Sequence, residues 1–276
     1  MPELTKEATD KFIEVNGIRL HYNEAGSGPV LLGTHGGGPG ASAWGGLKYP
    51  LPELAKHARV ILLDLPNFGD SQKHVKSDGQ TPDRFLAGLI GDLLDALGID
   101  ESISFYTSSG GGPSTFRFAL ENPERVHRLI VQAYSPGMLP KPGGAGINST
   151  KAFAENPTRE TMAEIFKLMT TPSYPGYDDA LELRWKAASA PGHIESRAEF
   201  ATLGKNSDFV KEIDSLAAEV LFVWGADDQI VPIERALLAL ATIPSASAHI
   251  FGGTGHLVPF ERPDEFARLV IDFITE

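Results

Sequence analysis

The sequence predicts an α/β fold with a mostly parallel central sheet flanked by helices, and with a helical segment inserted in the chain. Short, continuous apolar runs recur along the sequence, as expected for strands that are covered on both faces. Segments of helical period alternate with these runs, which is typical of βαβ units. One long stretch, 137–208, has helical patterns and no strand-like run.

The amino-terminal part is predicted to be a hairpin followed by buried strands. An Asn-Gly pair at 16–17 separates two alternating runs, which is a strong hairpin signal. Apolar runs at 30–32, 59–64 and 102–106 are predicted strands. A helix is predicted over 82–98, because its apolar residues have helical spacing and a glycine ends the pattern.

The remaining elements continue this alternation. We predict a helix over 113–120, strands over 129–133, 220–224 and 248–251, and a final amphipathic helix over 263–274.

The helical segment 137–208 divides the predicted core into residues 1–136 and 209–276. Open α/β sheets bind ligands at the carboxyl ends of their strands, so we expect the insertion to cap that edge. A helical embellishment of the surface, without a role in binding, is the alternative.

Charge and composition exclude several classes of function. The net charge of −12 disfavours binding to nucleic acids or to anionic membranes. The sequence contains no cysteine, which excludes a thiol nucleophile and a cysteine-based metal site. It shows no signal peptide and no apolar stretch near the roughly 18 residues of a membrane span. We expect a cytoplasmic homo-oligomer, a dimer or larger, that acts on a small molecule without a metal or other cofactor.

Two serines follow a predicted strand in the stretch FYTSSGGGPS (105–114). A nucleophile elbow needs small residues two positions before and two after the nucleophile, because the strand turns sharply into a helix. Ser109 has Thr107 and Gly111 there, whereas Ser108 is preceded at that position by a tyrosine. Ser109 is therefore the predicted nucleophile. A glycine-rich turn whose serines only cap the helix is the alternative.

An acid and a histidine follow the last two predicted strands. Asp227 and Asp228 lie in GADDQIVP, and His256 ends the motif GTGH. An aspartate after a strand is usually a turn former, and a lone histidine is usually structural. The order serine, aspartate, histidine, each on a loop beyond a strand, instead predicts a triad at one edge of the sheet. The pattern leaves both aspartates open as the acid.

The glycine-rich motif HGGGPG (35–40) also follows a predicted strand. An oxyanion hole of this type combines an N–H from such a loop with the N–H of the residue after the nucleophile, which here predicts Gly37 and Gly110. Glycines also let the backbone approach a substrate closely, and Gly38 is a predicted contact. A phosphate-binding loop is the alternative, but the sequence has neither G-x-G-x-x-G nor GK[ST].

Over essentially its whole length, the sequence resembles the α/β-hydrolase superfamily. It is most similar to the meta-cleavage-product hydrolases, which split carbon–carbon bonds in 2-hydroxy-6-oxo-dienoates from aromatic degradation. The matching stretches are HGGGPGASAW (35–44), VILLDLPNFGDS (60–71), LRW (183–185), WGADDQIVP (224–232) and GHLVPFERPDEFARLVIDFI (255–274).

The resemblance implies an α/β-hydrolase fold with a helical cap and assigns the roles of the triad. Ser109 would be the nucleophile, His256 the base, and Asp228, four residues before Pro232, the acid. It also implies that Arg184 engages the dienol-carboxylate end of the substrate.

Several positions of the recognition shell depart from the family pattern. Ser108 replaces an asparagine, Gly110 a bulky residue, Leu257 a tryptophan and Gly46 an asparagine. The predicted substrate-binding residues are Gly38, Ser108, Arg184, Trp185 and Leu257.

We therefore predict a serine-triad hydrolase that cleaves a carbon–carbon bond in a dienoate of this kind. An esterase or lactonase with the same triad is the close alternative. A protein that binds ligands on this fold without catalysis is a further one, although the retained triad argues against it. The glycine-rich loop is also similar to that of proline iminopeptidases, but the nucleophile stretch is not.

Overall fold

Eight strands form a single sheet in the order β1-β2-β4-β3-β5-β6-β7-β8. The structure is a computed structural model that describes residues 4–77, 79–136, 145–171, 174–201, 205–208 and 210–276. The strands are β1 (Asp10–Val15), β2 (Ile18–Ala25), β3 (Val30–Gly33), β4 (Arg59–Asp64), β5 (Ile103–Ser108), β6 (Val126–Gln132), β7 (Glu219–Gly225) and β8 (Ala246–Phe251). The pairs β1–β2 and β2–β4 are antiparallel, and all other neighbours are parallel, as predicted.

Helices follow or flank most of these strands. They are α1 (Lys6–Thr9), α2 (Ala43–Leu47), α3 (Leu51–Leu54), α4 (Pro82–Ala96), α5 (Gly112–Glu121), α6 (Ala145–Glu155), α7 (Arg159–Met169), α8 (Tyr177–Ala188), α9 (His193–Ala201), α10 (Glu234–Thr242), α11 (Val258–Glu261) and α12 (Pro263–Thr275). Short 3₁₀ turns lie at Ser109–Gly111, Pro123–Arg125 and Val210–Ser215. Within the described residues, none of the helices has the length and apolarity needed to cross a membrane.

Both faces of the sheet are buried, which explains the continuous apolar runs. Successive residues of a strand point to opposite faces. Leu32 and Phe105 belong to the apolar cluster on one face, whereas Leu31 and Tyr106 belong to the cluster on the other. Helices therefore cover both sides of the central strands, and the carboxyl ends of these strands form one edge.

Local turn chemistry defines two of the predicted boundaries. Asn16 and Gly17 have φ angles of 51° and 74°, the left-handed pair required by the tight turn of the β1–β2 hairpin. Gly98 has φ 65° and ends α4 two residues earlier than predicted, while the N–H of Ile99 donates to the carbonyl of Leu94.

Helices α6 to α9 lie between β6 and β7, in the segment predicted to be the insertion. Helices α6, α7 and α8 share an apolar cluster that includes Phe153, Ile165, Phe166 and Leu181 and extends to Phe260 in α11. The insertion was predicted over 137–208; its first residue, 137, and the first residue of the following core segment, 209, lie outside the described residues.

Candidate active site

Ser109 lies on a sharp turn between β5 and α5. Its φ of 45° is unusual for a residue other than glycine and matches the strained strand-to-helix turn of a nucleophile elbow. A side chain at Gly111 would place its Cβ 2.6 Å from the carbonyl oxygen of His35, so that position requires glycine. Thr107 is accommodated two positions before the nucleophile because its buried hydroxyl forms a hydrogen bond of 2.9 Å with the hydroxyl of Thr34, which follows β3.

A cavity opens at the carboxyl edge of the sheet, between the strands and helices α7 and α8. Ser108, Ser109 and His256 all line it, as do the glycines of the 35–40 loop. No hydrogen bond joins Ser109 to His256 within the described part of the chain. Catalytic hydrogen bonds are often long before substrate binds, so the shared cavity is the relevant observation.

His256 is hydrogen-bonded to Asp228, and Asp227 is not its partner. The His256 Nδ1 lies 2.7 Å from Asp228 Oδ2, and the carboxylate is fully buried. Its Oδ1 accepts hydrogen bonds from the N–H groups of Ile230 (2.7 Å) and Val231 (2.9 Å). Asp227 is exposed. Because a carboxylate only accepts, His256 carries its proton on Nδ1 and leaves Nε2 free to take another.

Three polar side chains hold the loop of His256. The amide of Gln132, at the end of β6, donates to the carbonyl of His256, and the hydroxyl of Tyr106 donates to Gln132. Burial raises the pKa of Tyr106, which keeps this phenol protonated as a donor. Glu261 accepts from the N–H of Gly255 at 2.9 Å. Sequence reasoning missed these residues, although a glutamine within an apolar strand was a usable signal.

The glycine-rich loop approaches the elbow at Gly37 and Gly110, the predicted oxyanion-hole pair. A Cβ on Gly110 would lie 2.6 Å from the nitrogen of Gly37, so the two backbones can meet only without that side chain. His35 fixes the start of the loop. Its Nε2 accepts from the N–H of Leu65 at 3.0 Å, and its Nδ1 donates to the carbonyl of Gly36 at 2.7 Å.

Arg184 reaches the cavity from α8. Its Nη2 lies 2.7 Å from the place of a Cβ on Gly38, so the glycine makes room for the guanidinium. Burial, with a smaller effect from the nearby cation of Arg197, lowers the pKa of Arg184 to about 10, and the side chain remains charged at neutral pH. Its Nε is buried and has no hydrogen-bond partner among the described residues.

Of the two remaining predicted contacts, Leu257 and Trp185, the structure places only Leu257 in the described lining of the cavity. Leu257 lines the cavity, and its N–H donates to the carbonyl of Met169 at 3.1 Å. Trp185 is not part of the described lining, and it packs edge-on against Phe153 with ring centroids 6.4 Å apart. The position of Trp185 within the helical cluster explains this difference, because its neighbour Arg184 already occupies the cavity-facing side of α8.

Much of the cavity lining is apolar. Helix α7 contributes Ile165, Phe166 and Met169, helix α11 contributes Phe260, and loops contribute Tyr49, Ile230 and Leu257. Arg184 is the one lysine or arginine in the described lining. The described lining thus combines one cation, which lies beside Gly38 of the glycine-rich loop, with a set of apolar side chains.

A second cluster of titratable groups lies away from this cavity. Ligand atoms of His21, Asp64 and Asp70 come within 4.8 Å of one another. Each already has partners: His21 bonds Asp64 (2.7 Å) and Asp10 (2.9 Å), and Asp70 pairs with Lys6. This arrangement satisfies the buried charges internally and is a structural network.

Three comparisons connect this geometry to known proteins. The family model described as the alpha/beta hydrolase family matches residues 30–269. The 2-hydroxy-6-oxo-6-phenylhexa-2,4-dienoate hydrolase of Comamonas testosteroni is 33% identical, with 100% of both chains covered. A 2-hydroxy-6-oxononadienedioate/2-hydroxy-6-oxononatrienedioate hydrolase of Dechloromonas aromatica is 31% identical and covers 99% of this chain and 97% of the relative. Among solved structures, a meta-cleavage product hydrolase from Pseudomonas fluorescens IP01 superimposes with a TM-score of 0.83 at 27% identity, covering 95% of this chain and 96% of that one.

Proposed function

Because the chain belongs to the alpha/beta hydrolase family, we propose that it is a serine hydrolase that cleaves a carbon–carbon bond in a 2-hydroxy-6-oxo-dienoate. One observation carries this proposal: Ser109, His256 and Arg184 line the same cavity. A nucleophile with its base is common to many hydrolases. Arg184 adds a cation from the cap, which can bind the anionic end of a substrate.

The proposed chemistry starts with ketonisation of the dienol, for which Arg184 stabilises the charge that develops at the carboxylate end. Ser109 Oγ then bonds to the carbon of the distal ketone, and His256 Nε2 takes the serine proton. The N–H groups of Gly37 and Gly110 stabilise the resulting oxyanion.

Cleavage follows from this tetrahedral species. The carbon–carbon bond breaks, its electron pair leaves on the dienoate fragment as an enolate, and His256 returns the proton to that fragment. Water, activated by the same histidine, then cleaves the ester between the acyl group and Ser109. Asp228 holds His256 in the tautomer that both proton transfers require.

The two classes of relatives act on different compounds, and the cavity favours one of them. The nonadienedioate named for one relative has a second carboxylate, whereas the phenylhexadienoate of the other has an aromatic ring. Apart from Arg184, the described lining includes no lysine or arginine, and it presents the apolar side chains of Phe166, Met169 and Phe260. Burying an unpaired carboxylate there is costly. We therefore propose that the acyl group of the substrate is apolar.

The test compares three substrates: 2-hydroxy-6-oxo-6-phenylhexa-2,4-dienoate, 2-hydroxy-6-oxononadienedioate and p-nitrophenyl acetate. We expect kcat/KM for the phenyl compound to exceed that for the dienedioate at least about tenfold, since about 1.4 kcal/mol corresponds to a factor of ten. Turnover of the ester without either dienoate would make the protein an esterase and refute carbon–carbon cleavage.

Arg184→Ala gives the matching variant test. We expect it to lower kcat/KM for the phenyl dienoate by about ten- to a hundredfold, because a charge-assisted contact is worth about 1.5–3 kcal/mol. The small neutral ester should be hydrolysed at the wild-type rate. Lys186→Ala removes an exposed cation from the same helix and serves as the control. Equal losses on both substrates would show that Arg184 only stabilises the cap.

A further inference from the structure

Helix α9 contacts the glycine-rich loop through two side chains that are one turn apart. Arg197 Nη2 donates a hydrogen bond of 2.7 Å to the carbonyl of Gly37. His193 Nε2 accepts a hydrogen bond of 3.0 Å from the N–H of Gly40. Positions i and i+4 lie on the same face of a helix, so this face of α9 covers the loop from the side of the inserted segment.

These contacts determine the orientation of the peptide planes in the loop. In a trans peptide, the N–H points away from the carbonyl of the same unit. Since His35 binds the carbonyl of Gly36 and Arg197 binds that of Gly37, the N–H groups of Gly37 and Gly38 point away from these two side chains. Neither N–H meets an acceptor within the described part of the chain. Both are therefore available to a ligand.

The chemical state of each side chain suits its bond. His193 is buried, and burial together with nearby cations, Arg197 first, lowers its pKa to about 3. It is neutral at physiological pH and can accept from Gly40. Burial lowers the pKa of Arg197 to about 10, so the guanidinium stays charged and donates. Its Nε has no hydrogen-bond partner among the described residues, which leaves Gly37 as its one hydrogen-bonded contact there.

We propose that His193 and Arg197, which belong to the inserted segment, are positioning residues that fix the geometry of the oxyanion hole. This inference rests on the proposed serine chemistry and goes beyond it, because it makes α9 part of the catalytic apparatus although neither residue touches the reacting atoms. Arg197 binds the carbonyl of Gly37 and so fixes the peptide that carries the N–H of Gly38, while His35 fixes the preceding peptide, which carries the N–H of Gly37. Arg197 therefore restrains the donor residue Gly37 from its carboxyl side, and His193 anchors the far end of the loop at Gly40. If the two side chains only fastened α9 to the core, their removal would change stability and leave the chemistry intact.

The experiment tests how well the oxyanion hole stabilises a bound oxygen, and it uses no dienoate substrate. The full-length protein and its variants are reacted with a fluorophosphonate, whose phosphoryl oxygen occupies the hole when Ser109 is modified, and inhibition by phenylboronic acid is titrated in parallel. The variants are Arg197→Met and His193→Leu, with Arg197→Lys and His193→Gln as conservative partners. Glu195→Gln, exposed on the same helix, is the control.

We expect Arg197→Met to slow modification of Ser109 and to weaken boronate inhibition about ten- to a hundredfold, somewhat less than the loss of a direct oxyanion donor. His193→Leu should act in the same direction. Arg197→Lys and His193→Gln should recover most of the loss, because an ammonium can still donate to Gly37 and an amide oxygen can still accept from Gly40.

Two outcomes would overturn the proposal, and they differ in what else they refute. If the wild type is modified at Ser109 while the Met and Leu variants react at its rate, or only melt at lower temperature, the positioning role is wrong and the serine chemistry stands. If the wild type is not modified at all, the serine chemistry fails and the inference fails with it.

Discussion

Replacing Asp228 with asparagine tests the acid of the triad with very little change in shape. The carboxylate makes three hydrogen bonds: Oδ1 accepts from the N–H groups of Ile230 and Val231, and Oδ2 accepts from His256 Nδ1. In Asp228→Asn, the amide oxygen has to face the two backbone donors. The amide NH₂ is then directed at His256.

This orientation reverses the histidine tautomer. His256 Nδ1 must accept from the new NH₂ group, so the ring proton moves to Nε2, the nitrogen that should receive the proton of Ser109. We expect kcat to fall roughly 10⁴-fold, the scale associated with the wrong tautomer in a serine triad. The two backbone hydrogen bonds survive without a negative charge and the third is reversed in direction, so the loss of stability should be no more than about 1–3 kcal/mol.

The measurement is kcat with p-nitrophenyl acetate or the phenyl dienoate, together with the thermal midpoint of each variant. Asp227→Asn is the control, because Asp227 is exposed and does not contact His256; we expect its kcat to stay within about twofold of wild type. If Asp228→Asn kept kcat within tenfold of wild type while remaining folded, the tautomer argument would be refuted.

Two further changes test the loop and the buried network. Gly110→Ala would put a Cβ 2.6 Å from the nitrogen of Gly37 and should lower kcat at least about tenfold. Gly88→Ala, on the exposed face of α4 and with no neighbour within 4 Å of its Cβ, should leave kcat near wild type; similar rates for the two variants would contradict the close approach. Burial lowers the pKa of His21, but its bonds to Asp64 and a second carboxylate outweigh burial and raise it. Its stabilisation is therefore complete below the unfolded pKa of about 6.5 and is lost as pH rises through the folded pKa. The difference in unfolding free energy between wild type and His21→Gln should therefore shrink as pH rises above about 6.5, and a constant difference would be evidence against a charged His21.

The sequence predicted the sheet because its central strands are buried on both faces. The run 59–64 matches β4 residue for residue, and the hairpin turn at 16–17 has the expected left-handed pair. The resemblance to meta-cleavage-product hydrolases is confirmed by the relatives found. Short elements such as α2, α3 and α11 were missed, because four or five residues give too little periodicity to be recognised.

The sequence predicted those site residues that belong to a recognisable motif. Ser109 and His256 each stand in a recognisable turn. The pattern alone left Asp227 and Asp228 open, the family resemblance pointed to Asp228, and the structure gives the hydrogen bond between Asp228 and His256. Arg197 and His193 could not be found from sequence, because their significance depends on contacts with a loop more than 150 positions earlier. Trp185 shows a further limit of sequence: its neighbour Arg184 lines the cavity, whereas Trp185 itself packs against Phe153.

Glu261 has a consequence for how the protein responds to heat. The buried carboxylate accepts from the N–H of Gly255, next to His256, and from the N–H of Thr171 just after α7. One side chain therefore joins the segment that carries the base to the segment that covers the cavity. When thermal fluctuations open the cover, the histidine loop loses the same anchor. Heat inactivation should accordingly follow local opening of this region, at temperatures below the cooperative melting of the sheet.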